Sequence, residues 1–460
     1  VTPLTMETFK TLLKTLAKGK SPDIAGCQVE HFIEAPDSIK ELLLECFNEV
    51  LDDMTLYNSA TFSMSVSQVI HKGKNKPIEK QTSYRRISIG PTPQKIIDSY
   101  FAPDTGEIAK KAQPKTQFGF TVKKNYLEAS VLRETLQTYS EEKNVCLILL
   151  TSDVTNAFTR TDRTSQLYEL LRAKEHGKYW EYSFRTYENT ATILYGDKKW
   201  SKYLMEWVGA KQGALKSAPD FKLYNIPLWR LIENSGLGAV IFETSVGLIL
   251  VADDSISLAQ DAARLKGIIE LYEFYSKLYD VEFAFHKTDL AVFGDKKTAR
   301  EMRADPDLKI GGEKLIFNDR NEHLGLWQCT DIRETSVVNV RHRLDKTNKK
   351  MFKLMGASLG KAPGMTLDIS RLIYKVNIKP SMIAGLQALH ITNESLDMLE
   401  TYEEKILRSI FDQRPLSSVT PLYFMWGEEP IEATLHKMIF SLHYSMWLDT
   451  TSPTVKISKA

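Results

Sequence analysis

The chain has 460 residues, of which 43% are hydrophobic and 26% are charged, and its formal net charge is only +2. This length exceeds that of one ordinary domain, and the composition is that of a soluble, globular protein. A strongly basic nucleic-acid-binding protein is excluded, so any affinity for nucleic acid must come from local patches of charge.

The cysteines and the hydropathy of the sequence indicate the cellular compartment of the protein. The four cysteines (Cys27, Cys46, Cys146 and Cys329) lie far apart and form no CxxC pair, which is typical of reduced intracellular thiols and not of zinc ligands. No apolar run approaches the roughly 18 residues of a membrane span, so we expect no membrane partner. The sequence begins at Val1 without a signal peptide, which suggests a piece of a longer polypeptide.

Residues 1–60 are predicted to be helical. Thr2 is a candidate N-cap with Pro3 at the first helical position. Apolar residues then keep a helical period as far as the Lys18–Pro22 loop, where this helix should end. A second apolar helix is predicted over Ile39–Leu51.

Two basic segments follow within residues 61–145. The first is a loop of alternating lysines, Lys72, Lys74 and Lys76. The second is a strand-like run, SYRRISIG, with the adjacent Arg85 and Arg86. On an edge or tip strand, such side chains can bind phosphate oxygens in a bidentate manner. A solvated basic loop without a ligand is the alternative.

The run VCLILLTSD is predicted to be a buried strand that ends at Asp153. A helix is expected over residues 161–186, followed by a hairpin with Gly196-Asp197 at its turn. In GAKQGALKSAPDF, two glycines flank Lys211 and Gln212, so the backbone can approach a ligand closely there.

The segment VGLILVADDSISL is predicted to form a β-hairpin with Asp253 and Asp254 at its tip. Two adjacent carboxylates repel each other, and one would keep its proton unless a cation lay between them. A divalent metal ion is the simplest such cation. From this pair alone, a solvated turn is the alternative.

The elements after this hairpin complete the predicted sheet and its helices. Residues 265–279 place apolar and tyrosine side chains on one helix face, which is typical of a core. VEFAFHKTDLAVFG predicts two short strands with Lys287 at their junction. This order of elements predicts an α+β fold with a mostly antiparallel sheet backed by helices.

A basic helix is predicted within residues 331–361. Over Arg341–Lys353 it has six basic residues against the single acid Asp345: Arg341, Arg343, Lys346, Lys349, Lys350 and Lys353. Such local charge is typical of a surface that binds nucleic-acid phosphates, and a solvated helix face is the alternative. Residues 365–460 predict further helices, from which no function can be read.

The acids at strand ends suit a two-metal reaction. Two Mg²⁺ ions roughly 3.5–4 Å apart would activate an attacking hydroxyl and stabilise a leaving pyrophosphate. A lysine could donate a proton to the leaving group, arginines could hold a triphosphate, and a basic helix could follow a duplex. This combination predicts a nucleotidyl-transfer polymerase.

The order of the motifs resembles that of reverse transcriptases of non-LTR (LINE-type) retrotransposons, in particular invertebrate-type elements, over most of the chain. GKSPDIAGCQVEHF is similar to the N-terminal segment of that family, SYRRIS to its NYRPIS, and QFGF (Gln117–Phe120) to its Q-x-GF. SDVTNAF is similar to the first catalytic motif, GAKQGALKS to the Gln-Gly motif, and VADD to YADD. HKTDLAVFG is similar to the lysine motif and HLG (His323–Gly325) to the primer grip.

The resemblance implies a right-hand polymerase fold. Its segments would be an N-terminal extension (1–60), fingers (61–145), a palm with an antiparallel sheet (146–330), a helical thumb (331–395) and a helical C-terminal segment (396–460). The reaction would be RNA-directed DNA synthesis with a dNTP, an RNA template and a DNA primer or target DNA. The location would be intracellular, in the nucleus for target-primed synthesis or in a cytoplasmic ribonucleoprotein. The parent could be a polyprotein with an endonuclease.

The resemblance also implies roles for single residues. Asp153, Asp253 and Asp254 would ligate two Mg²⁺ ions, for which Mn²⁺ could substitute, and Lys287 would protonate the pyrophosphate. Arg85 would contact the triphosphate, with Arg86 and Lys72 as lesser candidates. Gln212 and Gly213 would lie near the template and the incoming nucleotide, and Phe158 would exclude a 2′-hydroxyl.

Departures from the family pattern leave alternatives open. Val251 stands where an aromatic is usual, Arg86 replaces a proline, and Asn156 and Thr159 replace a lysine and an aspartate. None of these changes removes one of the three carboxylates. One alternative is a reverse-transcriptase-derived RNA-binding scaffold without activity. The other is an RNA-dependent RNA polymerase, against which Phe158 argues.

Overall fold

A computed structural model gives the fold of the chain. The structure describes residues 2–73, 76–121, 124–173, 177–188, 190–356 and 365–459. Lys74 of the predicted basic loop lies outside these ranges.

The described part of the chain consists of helices and short strands, with helices alone at both ends. Its helices are α1 (Met6–Thr15), α2 (Val29–Glu34), α3 (Asp37–Asp52), α4 (Ser59–Phe62), α5 (Thr92–Ala112), α6 (Tyr126–Lys143), α7 (Ala157–Arg160), α8 (Arg163–Arg172), α9 (Lys178–Tyr187), α10 (Ser217–Ser235), α11 (Ala262–Tyr279), α12 (Lys296–Ala304), α13 (Ile332–Gly356), α14 (Leu367–Ile373), α15 (Lys379–Ile383), α16 (Asn393–Ile410), α17 (Thr420–Trp426), α18 (Ile431–Trp447) and α19 (Pro453–Lys459). None of these helices has the length and apolar character needed to cross a membrane.

The strands in the same ranges are β1 (Ser65–His71), β2 (Tyr84–Ile89), β3 (Leu147–Ser152), β4 (Ala191–Gly196), β5 (Lys199–Met205), β6 (Ala239–Ile241), β7 (Thr244–Val246), β8 (Leu248–Val251), β9 (Asp254–Ala259), β10 (Asp289–Phe293), β11 (Lys309–Ile310), β12 (Glu313–Lys314), β13 (Ile316–Phe317), β14 (Arg320–His323) and β15 (Leu326–Cys329). The combination of many helices with mostly antiparallel strand pairs confirms the predicted α+β class.

The chain folds as two compact units, each built from separate segments. The first unit contains Val1–Pro114, Asp153–Leu231 and Glu270–Ala284. The second contains Lys115–Ser152, Ile232–Ile269 and Phe285–Ala460. The five predicted segments, from the N-terminal extension to the helical C-terminal segment, are not tested by this division and stay predictions.

The first unit holds a sheet in which the described strands run in the order β2-β1-β4-β5, with β1 and β4 parallel. The inner face of this sheet carries small hydroxyl side chains. Ser67 Oγ lies 3.0 Å from Ser88 Oγ and 2.8 Å from Thr192 Oγ1, so these buried polar groups satisfy one another. An apolar and aromatic core accompanies the sheet, and it includes Phe9, Phe47, Phe101 and Tyr182.

The second unit is organised around a sheet whose described strands run in the order β13-β10-β3-β9-β8. Only the β10–β13 pair among them is parallel. The central strand β3 is buried along almost its whole length, as its apolar sequence predicts. The same unit contains a helical core, with residues such as Ile378, Leu399 and Leu435 fully buried.

Helix boundaries differ from the sequence predictions where side-chain hydrogen bonds determine the residue at which a helix begins. Helix α1 begins at Met6 and not near Pro3, because the Thr5 and Thr8 side chains form a capping box. The single helix predicted over 161–186 is wrong. The structure has α8 and α9 instead, and Asp162 caps α8 by accepting the Ser165 N–H at 2.6 Å.

Two strand predictions are also corrected. The β4–β5 turn consists of Asp197 and Lys198, whose φ angles of 48° and 58° are those of a tight hairpin turn, so it lies one residue beyond the predicted Gly196-Asp197. Of the two strands predicted around Lys287, the described residues form only β10. Phe283 contributes an isolated bridge to Val154, and Phe285–Lys287 form a 3₁₀ turn.

Candidate active site

The two adjacent aspartates lie at the predicted hairpin in the second unit. Val251, the last residue of β8, pairs with Asp254, the first residue of β9. Ala252 and Asp253 form the two-residue turn, in which Ala252 has a left-handed φ of 60°. Both carboxylate-bearing residues are half-buried. The hairpin is therefore confirmed, with Asp253 in the turn and Asp254 at the start of the strand.

The segment Gln117–Phe120 supports this turn from behind. The Phe118 N–H donates to the Leu250 carbonyl at 2.8 Å, and Gln117 Oε1 accepts the Ala252 N–H at 3.2 Å. A Cβ atom on Gly119 would lie 2.2 Å from the Ala252 nitrogen, so only glycine allows this approach. The resemblance of QFGF to a family motif predicts a role for this segment, but it does not indicate that the segment holds the turn.

Asp153 directly follows β3, the strand beside this hairpin in the sheet. Ser152 ends β3 opposite Ser255, and their Oγ atoms lie 2.7 Å apart. Along the chain, Asp153 therefore comes one residue after Ser152, and Asp254 comes one residue before Ser255. Asp153 itself opens a segment of the first unit, where its carbonyl accepts the Ala284 N–H at 2.8 Å. The predicted buried strand that ends in an acid is confirmed.

The three aspartates are the predicted metal ligands of this site. In the ranges that the structure describes, no three or more His, Cys, Asp or Glu side chains are grouped so that they could hold a metal ion. The assignment of Asp153, Asp253 and Asp254 to Mg²⁺ stays a prediction.

Arg85 and Arg86 lie on β2 and point to opposite faces of the first unit's sheet, because side chains alternate along a strand. Arg85 is exposed. Arg86 Nη2 lies 2.6 Å from Oε1 of Glu206, a carboxylate that is only 7% exposed. Arg85 is therefore the better candidate for a phosphate contact, and Glu206 is a partner that sequence reasoning missed. Lys72 continues from β1 and donates its backbone N–H to Ser83 at 2.8 Å.

The Gln-Gly motif runs beside the same strand within the first unit. The Ser88 N–H donates to the Gln212 carbonyl at 2.8 Å. Gly213 has a φ of 111°, and a Cβ there would lie 2.9 Å from the Ser88 carbonyl oxygen, so the position requires glycine. Lys211 points inward to the Ser63 carbonyl, and burial lowers the pKa of this amine to about 8. The structure thus brings Gln212 and Gly213 to the strand that carries Arg85.

Phe158 lies in α7, which belongs to the first unit and contacts the start of the Gln-Gly motif. Its carbonyl accepts the Ala210 N–H at 2.6 Å, and its ring packs against Phe221 with centroids 4.8 Å apart. The residue is half-buried, so it is not fully enclosed in the core.

Lys287 lies in the 3₁₀ turn before β10 and is exposed. Its predicted role as a proton donor stays a prediction.

Helix α13 carries the predicted basic residues. Lys346, Lys349, Lys350 and Lys353 are all exposed, and their spacing places them on one face, which we call the basic stripe. The opposite face is buried through Val340, Thr347 and Met351.

The two arginines of α13 differ from the basic stripe. Arg343 is half-buried, and its Nη2 donates to the Gly325 carbonyl at 3.0 Å. Burial also lowers the pKa of its guanidinium. Arg341 is exposed, with Nη2 3.7 Å from a carboxylate oxygen of Glu394.

Comparison with protein-family models and with curated proteins finds no match for this chain. Among solved structures, a telomerase from Candida albicans in complex with a fragment of telomeric RNA is similar at a TM-score of 0.46, with 8% identity, covering 86% of this chain and 69% of that one. An apo telomerase from Candida tropicalis, truncated from its C-terminal domain, has a TM-score of 0.41 and 12% identity, covering 62% and 59%. TM-scores below 0.5 do not establish a shared fold.

Proposed function

We propose that this chain is an RNA-directed DNA polymerase of the non-LTR retrotransposon type with a right-hand fold. The observation that supports it most is the arrangement of β3, β8 and β9. A tight turn presents Asp253 and Asp254 between two buried antiparallel strands, and the neighbouring strand β3 ends one residue before Asp153. Buried strands that end at carboxylates suit chemistry on phosphate groups.

In the proposed reaction, the primer 3′-hydroxyl loses its proton to solvent, and its oxygen bonds to the α-phosphorus of a dNTP while the bond to the bridging oxygen of the β-phosphate breaks. Pyrophosphate leaves and receives a proton, for which Lys287 is the proposed donor. Arg85 would contact the triphosphate, and Gln212 and Gly213 would lie near the template and the incoming nucleotide. Asp153, Asp253 and Asp254 are the proposed carboxylates for two Mg²⁺ ions, with Mn²⁺ as a substitute.

The proposed partners are an RNA template and a DNA primer or target DNA. The proposed location is the nucleus, where target-primed synthesis would take place, or a cytoplasmic ribonucleoprotein. An endonuclease in a longer parent polypeptide is part of the same proposal.

The test is primer extension by the purified chain on poly(rA)/oligo(dT) with dTTP and Mg²⁺. We expect extension that depends on the template. An RNA-binding scaffold would instead bind the template–primer without extending it, and an RNA polymerase would prefer UTP to dTTP. Either result would overturn the proposal.

Replacing Gly119 by Ala is expected to lower the extension rate by about 10- to 100-fold, because the added Cβ must displace the Asp253 turn. Template binding should be unchanged. Gly106→Ala is the matched control, since a Cβ there meets nothing within 4 Å. A Gly119→Ala protein that extends at the wild-type rate would show that the turn position does not matter for the reaction.

The basic stripe on α13 is proposed to bind the phosphates of the template–primer duplex. Replacing Lys346, Lys349 and Lys353 by Gln should weaken binding to all sequences alike and flatten the slope of log K against log salt by roughly 0.7–0.9 per lost contact. Binding titrations at several salt concentrations measure both quantities. If affinity falls while the slope stays constant, these lysines act through folding or packing and do not contact phosphates.

A further inference from the structure

The first unit's sheet has an exposed face as well as the buried hydroxyl-rich one. Ile70 pairs with Arg85, and Gln68 pairs with both Ile87 and Tyr195. Residues directly opposite each other share a face of a sheet, as do alternate residues along a strand. Ile70 and Arg85 are both exposed. This face therefore runs from Arg85 across the sheet to Tyr195 on β4.

A β-bulge extends the face onto the edge strand β5. Tyr195 pairs with Trp200 and Ile193 pairs with Tyr203, with a register shift between the two pairs. In a regular strand, residues three apart would point to opposite faces, but the extra residue of the bulge brings Trp200 and Tyr203 to the same face. The Trp200 ring packs beside that of Tyr195 with centroids 4.5 Å apart. Trp200 and Tyr203 are nevertheless each 62% exposed.

The hairpin that carries these rings is also basic. Lys198, Lys199 and Lys202 are exposed, and the one acid in residues 191–205 is Asp197 in the turn, which is also exposed. Glu206, the next acid along the chain, is turned inward and paired with Arg86. Exposed aromatic rings therefore occur together with an excess of positive charge on this hairpin, three lysines against one aspartate.

We propose that this face, formed by Tyr195, Trp200 and Tyr203 and accompanied by the three lysines of the same hairpin, binds single-stranded nucleic acid. We call it the stacking face. Every base has a π-face on which an aromatic side chain can stack, and lysines attract the phosphates between bases, so the recognition is independent of sequence. Large exposed aromatic patches mark interaction surfaces, and the excess of lysine favours a polyanion over a protein partner. The inference deepens the proposed function by assigning a site for the unpaired strand.

The experiment measures binding of fluorescein-labelled rU20 and dT20 to the purified chain by anisotropy. A double variant, Trp200→Leu with Tyr203→Leu, keeps an apolar surface but removes the rings, so it isolates stacking. The matched control is Phe440→Leu with Tyr444→Leu, which removes two stacked exposed rings from α18. A third protein carries Lys198→Gln, Lys199→Gln and Lys202→Gln.

We expect the ring variant to bind both single strands about tenfold or more weakly with an unchanged salt slope, while the α18 variant binds like wild type. The lysine variant should lose affinity and flatten the salt slope by up to about 2. Wild-type affinity in the ring variant, or an equal loss in the α18 variant, would overturn the proposal. Reduced self-association without a change in binding would assign the face to a protein contact and overturn it too. Because these are binding measurements, a wild-type chain that binds through this face but extends no primer would refute the polymerase proposal and leave this one intact.

Discussion

Replacing Asp253 by Asn is expected to reduce primer extension by about a thousandfold or more, while template binding and folding stay nearly unchanged. Asp253 occupies the two-residue turn between β8 and β9, and its side chain is not part of the buried apolar core. The substitution keeps the size of the side chain and removes its charge. A metal ion held by such carboxylates is worth several kcal/mol in the transition state, and each 1.4 kcal/mol changes a rate about tenfold.

The matched control for this variant is Asp307→Asn, an exposed aspartate of the same unit. Single-turnover extension and thermal unfolding should be measured on both proteins. The melting temperature of Asp253→Asn should be equal to that of wild type or higher, because one of two adjacent repelling carboxylates has been neutralised. Extension close to the wild-type rate would remove Asp253 from the active site.

Replacing Phe158 by Val is expected to let the proposed polymerase use ribonucleotides roughly 10- to 100-fold more readily relative to deoxynucleotides. Phe158 follows Asp153 by five residues, and its ring is held against Phe221. In the proposed site this ring would lie beside the sugar of the incoming nucleotide and leave no room for a 2′-oxygen, and overpacking of this kind costs about 1–3 kcal/mol. Valine would remove the obstruction.

Single-nucleotide extension with matched ribo- and deoxy-substrates measures this ratio in wild type and variant. Phe184→Val is the control, since this ring of the same unit also stacks, on Trp180 at 5.7 Å. If Phe158→Val still extends with dNTPs at an unchanged ratio, Phe158 is ordinary packing. A wild type that already prefers ribonucleotides would favour the RNA-polymerase alternative.

The parts of the fold that could be predicted from the sequence are those encoded by short-range patterns. The apolar run of β3, the β8–β9 hairpin and the buried stripe of α11 each depend on periodicity within one segment, and all three are present. The start of α1 was missed because Thr5 and Thr8 cap it more completely than Thr2 can.

Contacts between distant segments could not be predicted in this way. Gln117 and Ala252 are 135 positions apart, so no local pattern indicates that one holds the backbone of the other. The pairing of Arg86 with Glu206 also joins residues that are distant in the sequence. It gives Arg86 a different environment from the adjacent Arg85, a difference that the sequence alone does not indicate. The bulge in β5 was also unpredictable, because it depends on the register with β4.

The most direct test of the central claim is whether Asp153 and Asp253 act as one site. The measurement is the single-turnover extension rate on poly(rA)/oligo(dT) for wild type, Asp153→Asn, Asp253→Asn and the double variant. Residues that act as a unit are strongly non-additive, so both single variants should show similar losses and the double variant should be hardly slower than either. Near-wild-type extension by Asp153→Asn, or a double variant whose loss is the product of two separate losses, would contradict a shared active site.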